Sequence, residues 1–167
     1  MWALVHQQLY NAGEAMLTGD KELAYKVISR ERRVNAFELK IDSDCEDIIA
    51  LYAPVAIDLR FVLAMYKINT NLERLGDFAE SIARFAGNLP EGEPIDPQLV
   101  KETRVEEMLS ELLSMISLTK EAFEKESSEI ASRIFLKDNL IDEINHNSTA
   151  IIAKYIEERI KHISIIP

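Results

Sequence analysis

The chain has 167 residues, 47% of them apolar, which is long enough to bury a substantial core as one domain or as two small halves. Its formal net charge of −10, from 29 acidic and 19 basic residues, repels phosphate backbones and argues against nucleic-acid binding. Cys45 is the single cysteine, so no internal disulfide or paired zinc-ligand spacing is available, and it reads as a partly buried thiol.

The opening MWALVHQQLY lacks the basic region and cleavage site of a secretion signal. The stretch Ile48 to Ile57 is too short to cross a bilayer. A cytoplasmic protein without a transmembrane segment is expected.

Apolar residues recur at spacings of three and four almost throughout, which predicts an all-α chain of about five antiparallel helices. The first helix is expected over Ala3 to Leu17, ending near Thr18-Gly19, with Asp20 as the side-chain cap of the second. The second carries Leu23, Val27, Val34, Phe37, Ile41 and Ile48 near one face and should stop before Pro54. Pro54 then fits the first turn of a third helix reaching about Asn88. The segment GNLPEGEPIDP, Gly87 to Pro97, is the one clear linker, and the expected division is 1–88, a linker at 89–97, and 98–167 packed with the first part as one unit. A fourth helix is expected over Pro97 to Lys125 and a fifth over Ser127 to His162, capped by Ser127 or Ser128.

An internal repeat emerges at an offset of 107 residues: Glu14-Ala15-Met16 falls on Glu121-Ala122-Phe123, Val27 on Ile134, Glu31 on Asp138 and Val34 on Ile141. The second copy has no counterpart to the third helix, which leaves Ile134, Ile141, Ile144, Ile151 and Ile152 with less cover. A homo-oligomer in which a second copy supplies that cover is expected.

The third helix holds the sharpest chemical signal, Asn71 to Ala83. Glu73, Asp77 and Glu80 share one face, where like charges repel unless a cation sits between them. Oxygen ligands of this kind suit magnesium, calcium, manganese and iron. On spacing alone the arrangement reads as a solvated acidic face balanced by Arg74 and Arg84 sooner than as a metal site. Gly76 costs helix stability and makes room for a neighbouring helix or ligand. The Glu143-x-x-His146 pair has di-iron ligand spacing, but no second Glu-x-x-His exists in the chain, so His146 reads as a surface residue. No phosphate loop, dinucleotide fingerprint or local nucleophile motif is present, which weakens an enzymatic reading.

Pro54-Val55-Ala56-Ile57-Asp58-Leu59-Arg60 followed by Asn71-Leu72-Glu73-Arg74-Leu75-Gly76-Asp77 resembles the PhoU family in both order and spacing. The resemblance covers Ala3 to Asn88 and continues more weakly through Ala131 to Ile156. It implies two three-helix repeats, here apparently without the last helix of the second, and a metal-binding E/D-x-x-x-D signature occupied by Glu73 and Asp77, with Glu80 a weaker candidate. The expected cofactor is a transition-metal ion or cluster, iron or zinc. The implied function is negative regulation of phosphate uptake, linking a phosphate ABC transporter to its sensor histidine kinase, without catalysis. The resemblance also fits a PhoU-like domain belonging to a sodium/phosphate cotransporter or channel-associated protein, and the carboxylates by themselves leave open a carboxylate-metal phosphohydrolase.

Overall fold

A computed structural model describes residues 1–90 and 94–163. Residues 91–93 of the expected linker, and residues 164–167, lie outside the described residues. The described residues are all-helical, with six helices and no strand. The chain divides into two compact units, Met1–Leu89 and Pro90–Pro167.

The first unit contains α1 (Trp2–Thr18), α2 (Lys21–Tyr52) and α3 (Ala56–Asn88), each packed on the other two. Gly19 ends α1 in left-handed geometry at φ 71°, sending its N–H back to the Ala15 carbonyl. Asp20 then caps α2, its carboxylate accepting from the Leu23 N–H at 2.9 Å. The core joins Val5, Leu9, Ala12 and Ala15 of α1 to Ala24, Val27 and Val34 of α2 and to Leu72, Ala79, Ala83 and Ala86 of α3. Small residues dominate the α3 seam, so its backbone approaches its neighbours closely. Gly76 is the extreme case: a Cβ there would meet Val34 Cγ1 at 2.8 Å. Buried Gln8 spans two helices by donating from Nε2 to the Val27 carbonyl at 2.8 Å. Cys45 is only 5% exposed, deeper than its sequence context predicts, and burial raises its pKa.

Pro54 is not in the first turn of α3, contrary to the sequence expectation. The reversal is made by Ala53 in left-handed geometry (φ 43°) and by extended Val55, which leaves Pro54 between them and starts the helix at Ala56. Ala56 itself has φ 51°, so the turn holds two alanines in conformations that favour glycine.

The second unit contains α4 (Pro97–Thr103), α5 (Val105–Glu124) and α6 (Ser128–Ile163). Asp96 caps α4 by accepting from the Gln98 N–H at 2.9 Å, with Pro97 in the first turn. The single helix expected from Pro97 to Lys125 is therefore two, broken at Arg104 in left-handed geometry with φ 53°. No glycine or proline marks the break. Side-chain contacts hold it instead: Ser148 Oγ donates to the Thr103 carbonyl at 3.2 Å, and the Arg104 guanidinium reaches Glu107 one turn on at 2.8 Å and Glu143 of α6 at 3.0 Å.

Ser127, one of the two proposed caps, accepts from the Ile130 N–H at 3.3 Å and opens α6. The pairs Arg104–Glu143 and Glu111–Lys137, the latter at 2.6 Å, advance along α5 and retreat along α6, so the two helices run antiparallel. Ile116, Ala122 and Ile144 form this unit's buried apolar positions, while Phe135, Leu136 and Ile152 stand exposed.

Candidate functional site

Helical geometry separates the faces of α3. Val62, Asn69, Leu72, Gly76, Ala79 and Ala83 enter the core. The next residue round from each core position lies about 100° away, and that flank carries Glu73, Asp77 and Glu80 toward α2.

Facing the row are Glu31 and Glu38 of α2, whose charges act directly on it. Burial, followed by the Asp77 and Glu38 carboxylates, raises the pKa of Glu73 above its ordinary value. Burial and then Glu80 raise Glu31, although a hydrogen bond from Asn35 and the charge of Arg32 oppose the shift. Glu80 is neutralised by Arg84 at 2.6 Å. Among the described residues no ion pair engages Glu31, Glu38, Glu73 or Asp77.

Two amide oxygens add to the excess of acceptors. Asn69 donates from Nδ2 to the Glu38 carbonyl at 2.9 Å and to Asp42 Oδ1 at 2.7 Å, yet its own Oδ1 is buried without a donor. The Oδ1 of Asn35 is in the same condition. A region so rich in oxygen acceptors and so poor in donors matches the chemistry of a hard or borderline cation. Its geometry is that of an extended row: among the described residues, no three carboxylates, imidazoles or thiols converge closely enough to hold a metal. Beside it, Ile28, Ser29, Glu31, Arg32, Glu80 and Arg84 line a surface groove.

Glu73, Asp77 and Glu80 stand where their spacing predicts, while the acceptors that α2 contributes are an addition from the structure. Glu31, Asn35, Glu38 and Asp42 follow one another at spacings of four, three and four, the same one-face signal that marked α3. In the second unit Glu143 is committed to Arg104 and His146 is exposed, so the Glu-x-x-His pair forms no site.

Residues 1–86 match the family model described as the PhoU domain. The chain is 33% identical over 174 aligned positions to the phosphate-specific transport system accessory protein PhoU homolog of Aquifex aeolicus, covering 99% of this chain and 76% of that protein. It is 35% identical to the phosphate-specific transport system accessory protein PhoU of Escherichia coli over 86% of this chain and 58% of that one. The crystal structure of PhoU from Pseudomonas aeruginosa superposes with a TM-score of 0.88 at 29% identity, covering 98% of this chain and 77% of that chain.

Proposed function

This chain belongs to the PhoU family, and from that premise we propose that it is an accessory regulator of phosphate uptake that acts by binding and not by catalysis. Its partners on this reading are a phosphate ABC transporter and the sensor histidine kinase that follows it, met from the cytoplasmic side. No helix among the described residues is long and apolar enough to cross a membrane, so contact with a transporter would be peripheral. The apolar residues left exposed on α6, Phe135 and Leu136, support self-association of the second unit.

The regulatory surface we assign is the acidic row of α3, with Glu73 and Asp77 as metal ligands, Glu80 as a weaker one and Glu31 or Glu38 completing the set. The observation that carries it is the gathering of Glu73 and Asp77 of α3 with Glu31 and Glu38 of α2, four carboxylates that enter no ion pair among the described residues. A divalent or trivalent ion, iron or zinc by family resemblance, would relieve the repulsion among these carboxylates and supply positive charge to the surface. The carboxylates would have to draw together around it.

The test is elemental analysis of protein purified without chelator, alongside Glu73→Ala combined with Asp77→Ala. Near-stoichiometric metal that is lost in the double variant, together with weakened binding to the purified transporter, is the expected result. Metal content unaffected by the double variant would remove the site from the proposal, and transporter binding insensitive to both substitution and chelation would remove its regulatory role.

A further inference from the structure

The flank of α3 opposite the acidic row carries a second pattern. From Ile57 to Leu89 apolar residues alternate at spacings of four and three, a period of 3.5, interrupted only by Asn71. This row is not the core seam, which runs one residue further round through Gly76, Ala79 and Ala83. Phe78 is 55% exposed and Phe85 is 54% exposed, so large aromatic surface on this row faces solvent.

Immediately before three members of the row stand Arg60, Lys67 and Arg74, spaced seven apart and therefore aligned along its outer edge. All three are exposed. Among the described residues none of them enters an ion pair. Three aligned, unpaired cations are notable in a chain of net charge −10.

We infer that this flank of α3 is a docking seam for an acidic amphipathic helix of a partner protein, whose apolar residues pack on Phe78 and Phe85 while its carboxylates meet Arg60, Lys67 and Arg74. The 3.5 period is that of helix-on-helix packing, which selects a helix as the occupant. Charge selects among helices. A second copy of α3 laid antiparallel about the middle of the seam would oppose Arg74 to Arg74, a like-charge contact that disfavours self-pairing. An anionic membrane would meet the same cations, but the acidity of the whole chain repels it. The inference does not depend on metal at Glu73 and Asp77, which remain intact in its test.

The probe is a fluorescently labelled peptide of four heptads with leucine at the seam positions and glutamate beside them, titrated with the whole chain by anisotropy. Binding is expected, weakened about tenfold by Lys67→Glu combined with Arg74→Glu. A peptide with lysine in place of glutamate should show the reverse preference, binding the charge-reversed variant better. Phe78→Gln with Phe85→Gln should abolish binding of either peptide, and circular dichroism should show that each variant, altered only at exposed positions, stays folded. Equal binding of the acidic and basic peptides, or none of either, overturns the inference. It is equally overturned by a dimer that dissociates in the phenylalanine variant, which would make the seam a self-interface, or by sedimentation of the chain with phosphatidylglycerol vesicles that is lost in the charge-reversed variant.

Discussion

Gly76→Ala sets two effects of opposite sign against each other at a close approach of α3 to α2. In a helix interior, alanine is favoured over glycine by about 1 kcal/mol, so on propensity alone the substitution should stabilise. The added methyl would lie 2.8 Å from Val34 Cγ1 and 3.5 Å from both Val34 Cβ and Cγ2. Val34 is 1% exposed and β-branched, so it can neither swing into solvent nor change rotamer cheaply. Overpacking of this kind costs about 1–3 kcal/mol, which leaves a net loss of about 1 kcal/mol. The sign should invert in a Val34→Ala background, where the space is open and the propensity gain survives. Trp2 is the only tryptophan and lies on α1, so urea unfolding followed by its fluorescence reports on the first unit selectively. A Gly76→Ala variant more stable than the parent, or one with the same effect in both backgrounds, would refute the reasoning.

Removing the cap of α2 with Asp20→Ala should lower the same urea midpoint by the equivalent of about 1 kcal/mol, and Asp20→Asn should restore most of it. Glu73 and Glu31 have folded pKa values above the ordinary 4.5, so the folded first unit binds protons more tightly than the unfolded chain. That contribution to stability is complete below the unfolded value and disappears as pH rises through the folded one. The Trp2-detected midpoint should therefore rise as pH falls from neutrality toward the ordinary carboxylate range, and Glu73→Gln should flatten the rise; an equal slope in parent and variant would contradict the shift. In the second unit the hydrogen bond from Tyr155 at 2.6 Å, followed by that from the Gln98 N–H, lowers the pKa of Asp96 below 3.8. The stabilisation it gives is present above that value and lost as pH falls through the folded pKa. Tyr155→Phe should make the second unit open at higher pH during acid titration, read by hydrogen exchange of α4.

The helices were legible where local chemistry decides them. Gly19 and Asp20 announce the α1–α2 boundary because one residue tolerates left-handed geometry and the next carries a capping oxygen. The break at Arg104 was not legible, because two of the residues that contact it, Glu143 and Ser148, lie 39 and 44 positions away along the chain. Alanine at positions 53 and 56 concealed the α2–α3 turn in the same way: Pro54 ended α2 as expected, but nothing local located the start of α3. The site divided along the same line. Glu73, Asp77 and Glu80 declared a common face by spacing, whereas which face of α2 would oppose them depended on the close approach at Gly76, a tertiary fact.

That close approach also explains why one helix can carry opposite chemistries without mixing them. Arg74, Leu75, Gly76 and Asp77 are consecutive, so each points about 100° from the last. They place in order a cation toward solvent, an apolar residue on the outer flank, a missing side chain against Val34, and an acid beside α2. The order repeats imperfectly seven residues earlier, in Lys67, Ile68, Asn69 and Thr70, where the core residue is a buried amide bonded to α2. Because the core seam lies between the acidic and apolar flanks, an ion gathered by the acids can reach the apolar flank only by changing the α2–α3 approach. Gly76 is the position at which that approach is set, so in Gly76→Ala any coupling between metal affinity and seam binding should change even though neither surface has lost a ligand. Measuring peptide affinity with and without manganese in parent and variant decides it: a metal-induced change in affinity that is the same in both would show that the two flanks communicate by another route.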